Sequence, residues 1–143
     1  MNDISYFESR TGKLICTSRE AYYFVTDIRN FEQFAPKGSI NKWNAEKESC
    51  SFTVSMIGTV SFRLTEKTEF KKVVFCGNAL DKNDFSLILN LSGNETEPAE
   101  VKLSLSADLS PVMKMMASKP ISQFLEMLIN EMENFRDWEN TKE

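Results

Sequence analysis

The side chains in this sequence that could carry acid–base chemistry are carboxylates, because its 143 residues include no histidine. The lack of histidine excludes Ser-His-Asp and Cys-His nucleophiles, an imidazole base and histidine-containing zinc sites. A catalytic carboxyl group would need a raised pKa inside a pocket. The candidate carboxylates, with an arginine and two tyrosines, are Asp27, Glu66, Glu69, Asp81, Asp84, Asp108, Arg63, Tyr22 and Tyr23. Since no acidic residue falls in the apolar phase of a clearly alternating strand, we expect structural or surface roles for them and predict no catalytic residue.

The three cysteines are the other chemically reactive side chains. Cys16, Cys50 and Cys76 are odd in number, far apart and without a C-x-x-C pair. Such a set is typical of reduced thiols that pack as small hydrophobic side chains. The sequence also has no glycine-rich phosphate loop and no cluster of metal ligands, so we expect no cofactor and no metal.

The composition narrows the class of partner. Seventeen basic against 21 acidic residues give a net charge of −4, which argues against nucleic acid or an anionic membrane as the main partner. No apolar run approaches 18 residues, so we expect no integral membrane association. The first residues lack the pattern of a signal peptide, and the length suits one domain. We therefore expect a single domain over residues 1–143 and a cytoplasmic location.

Helical patterns follow a first strand near the amino terminus. Residues 4–16 are predicted to form a strand with a kink or bulge near Gly12. Thr17 and Glu20 fit a capping box for a first helix, which we expect to end near Asp27. A second short helix is predicted over residues 31–35, because the following Pro-Lys-Gly segment cannot continue a helix.

The middle of the chain, residues 40–109, alternates between apolar and polar side chains. Gly58 is placed to take a positive φ at a tight hairpin, and residues 101–109 show the clearest alternation. Consecutive strands joined by short turns predict an antiparallel meander with one apolar face.

The last third is predicted to be helical. Ser110 and Pro111 fit an N-cap and a first helical residue, before a short methionine-rich piece at 112–117. Pro120 is then expected to restart the helix. The apolar stripe that follows covers about five turns and consists of Ile121, Phe124, Leu125, Leu128, Met132 and Phe135.

Three stretches resemble a known family. Residues 17–36, with Asp27 and the closing Pro36, resemble its first helix pair; residues 85–111 resemble its late hairpin; and residues 119–128 resemble the start of its final helix. Over nearly its whole length the chain is similar to the START/Bet v 1-like superfamily, also called SRPBCC or polyketide cyclase/dehydrase-like. The resemblance implies an α+β helix-grip fold. In this fold a curved antiparallel sheet of about six to seven strands wraps around one long C-terminal helix, with two short helices after the first strand.

The resemblance also implies a cavity between sheet and helix. If the apolar phases face inward, the residues expected to line it are Met56, Phe62, Phe75, Leu89 and Leu105 from the sheet and Met116, Phe124, Leu125 and Leu128 from the helix. Such a lining suits a lipid-like or aromatic ligand. Alternatively, these side chains meet and fill the space. Met113, Met115 and Met116 either adapt to ligands at the mouth or pack as a hinge.

Our leading hypothesis is a carrier or sensor that binds a hydrophobic small molecule in this cavity. Members of the superfamily include lipid carriers, hormone receptors, cyclases and hydrolase-like enzymes, so the shared fold does not determine activity. Two alternatives stay open. One is a cyclase- or hydrolase-like enzyme. The other is a protein-interaction module with a filled core, which would use either an exposed edge strand or an acidic helix face formed by Glu126, Glu131, Glu133, Asp137 and Glu139.

Overall fold

The computed structural model describes residues 3–34, 40–54, 58–79, 83–93 and 96–138. Its strands are β1 (Asp3–Glu8), β2 (Gly12–Thr17), β3 (Ile40–Ala45), β4 (Ser49–Val54), β5 (Gly58–Thr68), β6 (Lys72–Ala79), β7 (Asn83–Ser92) and β8 (Pro98–Leu109). Its helices are α1 (Ser18–Val25), a 3-10 helix (Ile28–Phe34) and α2 (Pro111–Asn134).

The strands form one eight-stranded antiparallel sheet in the order β1-β8-β7-β6-β5-β4-β3, and β2 pairs with β8 beside β1. Strands β3 to β8 therefore follow one another as the predicted meander. The long helix α2 lies against β1, β2 and β8. This arrangement confirms the α+β helix-grip class, with eight strands where about six to seven were expected.

The amino-terminal segment forms two strands, where one kinked strand was predicted. The break falls at Ser9, whose backbone N–H donates to the carbonyl of Leu103 at 2.9 Å. The Ser9 hydroxyl accepts from the Leu103 N–H, also at 2.9 Å, and donates to the Arg10 carbonyl at 2.8 Å. A side-chain oxygen thus replaces a backbone acceptor of the ladder, which lets the chain turn away between β1 and β2.

The two predicted short helices are present. Thr17 and Glu20 form the expected capping box at the start of α1. The second element is a 3-10 helix over Ile28–Phe34, which begins earlier than predicted. Asp27 lies between the two helices, where its carboxylate accepts from the Arg29 backbone N–H at 3.1 Å and from the guanidinium at 2.9 and 2.6 Å.

Helix α2 is continuous through Pro120, so the prediction of a separate methionine-rich piece was wrong. Ser110 caps the helix as expected, because its hydroxyl accepts from the Met113 N–H at 3.2 Å. Pro120 removes the N–H that would bond the carbonyl of Met116. Since Met116 is exposed, water can satisfy that carbonyl and the helix tolerates the proline.

The hydrophobic core lies between the inner face of the sheet and one half of α2. Leu125, Leu128, Ile129 and Met132 are buried there. At the end of the described chain Trp138 packs edge-on against Phe24, with ring centres 5.2 Å apart. The carboxyl-terminal half of α2 is therefore the part that the sheet and the amino-terminal helices grip.

Candidate functional site

The inner face of the sheet carries an aromatic cluster that includes two of the predicted cavity residues. The ring centres of Phe62 and Phe75 lie 5.5 Å apart. Phe31, from the 3-10 helix, packs edge-on against Phe75 with ring centres at 5.3 Å. Phe52 lies 5.9 Å from Phe62 on the other side. Short-range aromatic packing therefore brings the strands and the 3-10 helix together.

Five of the nine predicted cavity residues belong to the packed core. Phe75, Leu89 and Leu125 have no accessible surface, and Phe62 and Leu128 keep 9% and 6%. Side chains this buried support the inner wall of the layer between sheet and helix. Their role as ligand contacts remains a prediction.

Two other predicted residues, Leu105 of β8 and Phe124 of α2, are only half-buried. Leu105 shares the inner face with buried Leu103, and Phe124 shares the apolar stripe of α2 with Leu128. Both side chains therefore face the layer between sheet and helix, near the middle of α2.

Phe85 and Ile121 are also half-buried there and were absent from the predicted lining. Ile121 belongs to the predicted apolar stripe of the last helix, and Phe85 lies in the segment that is predicted to alternate between apolar and polar side chains. Their signal was periodicity, which marks a core face but does not separate half-buried from fully buried positions.

Three small residues and two phenylalanines form the adjacent row of the inner face. The registers place Gly77 between Phe62 and Phe85, followed by Ala107 and Ser5. A Cβ atom on Gly77 would lie 1.9 Å from the carbonyl oxygen of Ser61, so the backbones of β5 and β6 approach closely here. A residue without a Cβ atom is needed for such a close approach within a strand. Gly77, Ala107 and Ser5 add little side-chain volume beneath α2, unlike Phe62 and Phe85 in the same row.

Of the two methionines in the predicted lining, one lies on the outer side of α2 and the other lies outside the described residues. Met116 is 68% exposed and lies on the side of α2 that faces away from the buried stripe. Met56 lies outside the described residues, as do the other members of the β4–β5 turn before Gly58. Gly58 itself has the expected positive φ of 105°.

Most of the candidate acid–base residues that the structure describes lie on the outer face or the edges of the sheet. Arg63, Asp84 and Asp108 line a groove of about 530 Å³ on the outer face, together with Cys76, Ser86 and Ser106. Glu66 lies 3.5 Å from Lys72 in an exposed ion pair. Asp81 lies outside the described residues.

Asp27 is buried, but its carboxylate is bound to Arg29. The hydrogen bond from that guanidinium holds the pKa of Asp27 below its ordinary value despite desolvation. Tyr22 and Tyr23 pack against Phe70 with ring centres 5.5 and 5.7 Å away. Burial raises the pKa of the Tyr22 hydroxyl. These contacts are structural ones.

Two members of the acidic helix face have a partner within the chain. Arg10, from the β1–β2 connection, donates to Asn130 and, at 2.7 Å, to Glu133. Its guanidinium also lies 3.4 Å from Glu126. This part of the acidic face therefore anchors the β1–β2 connection to α2.

Neither a metal site nor a membrane span is found in the described ranges. Within them, no three Cys, Asp or Glu side chains are close enough together to hold a metal ion. None of the helices in the same ranges is both long and apolar enough to cross a membrane.

The sequence matches no family model and no curated protein. The structure, however, is similar to solved structures. One is norcoclaurine synthase from Thalictrum flavum, with a TM-score of 0.71 and 7% identity over 92% of this chain and 86% of that one. Another is a conserved protein from Geobacillus kaustophilus, with a TM-score of 0.69 and 8% identity over 90% and 93% of the two chains. A third is a protein from Bacillus thuringiensis, with a TM-score of 0.63 and 12% identity over 90% and 98%.

This chain has the helix-grip fold. Norcoclaurine synthase shares it as a Bet v 1-like protein. Members of this fold bind hydrophobic ligands or act as enzymes. At 7–12% identity the likeness shows the fold alone.

Proposed function

We propose that this protein binds a hydrophobic small molecule, lipid-like or aromatic, between the inner face of the sheet and the stretch of α2 that precedes Leu125, and acts as a carrier or sensor. The observation that carries the proposal is the contrast in burial along the apolar stripe of α2. Leu125 and Ile129 are completely buried, whereas Ile121 and Phe124 remain half-buried. On the sheet, Phe85 and Leu105 remain half-buried as well.

A ligand placed there would complete the burial of apolar side chains from both layers. Burial of apolar surface contributes roughly 25 cal/mol per Å². The neighbouring Gly77 and Ala107 leave room that larger side chains would take. A mostly apolar lining of this kind favours ligands with an extended apolar or aromatic portion.

The carboxylates with shifted pKa values do not favour an enzyme. A general acid at neutral pH needs a raised carboxyl pKa. The pKa of Asp27 is lowered, and that of Glu133 is lowered to about 2, since each is bound to an arginine. Neither carboxyl group is therefore suited to act as a general acid at neutral pH.

The test is native mass spectrometry of the protein purified from cell extract, followed by organic extraction. We expect a co-purifying lipid or aromatic compound. Binding is then measured by fluorescence titration with a fluorescent fatty acid and with 1-anilinonaphthalene-8-sulfonate. Leu105→Trp and Phe124→Trp should each abolish the fluorescence increase, because both indoles would fill the space.

Ile15→Trp is the matched control, because Ile15 is 50% exposed on β2. It should bind both probes like the unmodified protein. Circular dichroism and thermal unfolding check that all three variants are folded. Unchanged binding in folded Leu105→Trp and Phe124→Trp proteins would overturn the proposal.

A further inference from the structure

The polar groove of about 530 Å³ lies on the outer face of the sheet, opposite the face that packs on α2. We call it the outer groove. Its floor is a row of small side chains, because the registers place Cys76, Ser86 and Ser106 side by side on β6, β7 and β8. The Sγ atom of Cys76 and the Oγ atom of Ser86 share a hydrogen bond of 3.4 Å. The neighbouring row of this face carries the larger Val74 and Ile88, so the floor is both recessed and polar.

One end of the outer groove carries a cation. Arg63 lies on β5 opposite Cys76, and its other cross-strand neighbour is Ser49. Neither neighbour is acidic, and Arg63 is exposed. In the part of the chain that the structure describes, its guanidinium group makes no ion pair. This group is therefore available to bind an anion.

The other end of the outer groove carries two carboxylates. Phe85 of β7 pairs with Ala107 of β8, so Asp84 and Asp108 lie opposite each other one position further along, on the outer face. Like charges directly opposite each other on one face of a sheet are destabilising. Neither aspartate has an ion pair with any residue of the described ranges. A bound cation would relieve the repulsion between them.

The carboxylate of Asp108 also lacks a hydrogen bond. Its Oδ1 atom is buried and accepts none from the residues that the structure describes. The cross-strand neighbours of Asp108 are Asp84 and Ile4, and neither side chain has a donor at neutral pH. A buried oxygen without a donor destabilises the protein. An ammonium group placed in the groove would supply this hydrogen bond.

The outer groove differs from the rest of its face, where charges are paired within the chain. Lys72 lies 3.5 Å from Glu66, and Lys102 lies 2.8 Å from Glu8. In the groove the opposite charges are kept apart. Strand β5, which carries the cation, and β7, which carries the first carboxylate, are two strand spacings apart, about 10 Å. The floor of small polar side chains separates the two ends.

We infer that the outer groove binds a small zwitterion whose ammonium and carboxylate groups are separated by several bonds, such as an ω-amino acid or a dipeptide. The ammonium group donates to Asp84 and Asp108, and the carboxylate accepts from the Arg63 guanidinium. The charges of an α-amino acid are too close together to reach both ends. This inference goes beyond the proposed function, because the groove lies on the opposite face of the sheet and needs no internal ligand.

The experiment is titration of the isotope-labelled full chain with γ-aminobutanoate, followed by amide NMR spectra. We expect saturable shifts of the backbone amide signals of Cys76, Ser86 and Ser106. Glycine, whose charges are close together, and butanoate and butylammonium, which carry one charge each, are the comparison compounds. Each should bind about fivefold more weakly or less tightly still, because each loses the ion pair at one end of the groove.

Variants at the two ends test the assignment. Arg63→Gln should weaken the binding of γ-aminobutanoate by about fivefold, as expected for an exposed ion pair. Asp108→Asn should weaken it by about tenfold, because its buried oxygen accepts a charge-assisted hydrogen bond. Lys67→Gln and Glu66→Gln are the matched controls, since both residues are exposed on β5 outside the groove. They should bind like the unmodified protein, and thermal unfolding checks that all four variants are folded.

Several results would overturn the inference. One is the absence of saturable shifts with γ-aminobutanoate, and another is shifts confined to signals outside the groove. Equal binding of any comparison compound would show that two separated charges are not required. Unchanged affinity in folded Arg63→Gln and Asp108→Asn proteins would place the ligand elsewhere. Binding of the fluorescent probes is measured separately, so failure here leaves the proposed function unaffected.

Discussion

The guanidinium group of Arg10 donates a 2.7 Å hydrogen bond to the carboxylate of Glu133. The other oxygen of that carboxylate accepts from the Lys13 backbone N–H at 2.8 Å. One side chain of α2 therefore holds both sides of the β1–β2 connection. The helix is attached to the edge of the sheet by this polar contact as well as by its apolar stripe.

Glu133→Gln should lower the free energy of unfolding by about 1 kcal/mol at pH 7, because it removes an ion pair and weakens two hydrogen bonds. The measurement is urea unfolding. Glu131→Gln is the matched control, since Glu131 is exposed on the same helix and has no ion pair among the described residues. Equal stabilities of the two variants would contradict the structural role of Glu133.

The same pair makes a pH-dependent contribution. The hydrogen bond from Arg10 is the main cause that lowers the pKa of Glu133 from 4.5 to about 2. A carboxyl whose pKa is lowered on folding stabilises the protein fully above its unfolded pKa and loses that effect as pH falls through its folded pKa. The stability difference between the unmodified protein and Glu133→Gln should therefore stay constant above pH 4.5 and shrink toward pH 2. A difference that grows on acidification would contradict the assignment.

Gly77→Ala should destabilise the fold by more than about 4 kcal/mol or prevent folding. The added Cβ atom would lie 1.9 Å from the Ser61 carbonyl oxygen and 2.6 Å from the Phe62 Cα atom. Gly93→Ala is the comparison, because its nearest contact is 3.4 Å away and its φ is +111°. That variant should lower the free energy of unfolding by only about 1–2 kcal/mol, because alanine is strained in the left-handed region. Chemical unfolding of both variants measures the contrast, and similar losses would argue against the close approach of β5 and β6.

Cys16 and Cys50 should resist alkylation in the folded protein. Burial raises the pKa of each thiol to about 12. At pH 8 only about one thiol in ten thousand would be ionised. Cys76 is partly exposed and should react first with iodoacetamide. Mass spectrometry of the peptides measures which cysteines have been alkylated. In denaturant all three should react, and rapid labelling of folded Cys50 would contradict its burial.

Pro120→Ala should stabilise the protein by about 1–3 kcal/mol, because it restores the N–H that can bond the Met116 carbonyl within α2. Thermal unfolding measures the change. Ser122→Ala, two residues further along an exposed part of the helix, should stabilise it by no more than about 0.5 kcal/mol. A loss of stability in Pro120→Ala would mean that the proline supports a bend on which the packing of α2 depends.

Local sequence patterns determined the elements of this fold. The capping box at Thr17 and Glu20, the N-cap at Ser110 and the positive φ of Gly58 each depend on neighbouring residues. The alternation of residues 101–109 marks the inner face of β8 in the same way. Interactions within a few residues impose these features, so they can be read along the chain.

Tertiary structure decided how the elements meet. The split between β1 and β2 depends on Ser9 and Leu103, 94 residues apart. The acidic face of α2 meets Arg10 over more than 110 residues of chain. No local pattern contains such pairs, because they arise only when the folded sheet brings distant backbone and side chains together.

In the candidate site, too, some features follow from local periodicity and others from tertiary packing. Periodicity identified Phe75, Leu105, Phe124 and Leu125 as inward-facing, and in the structure they lie in the hydrophobic core or pack against it. Which of them stay half-buried depends on how α2 packs on β1, β2 and β8. Contacts between elements that are distant in the chain decide this, and local periodicity does not express them.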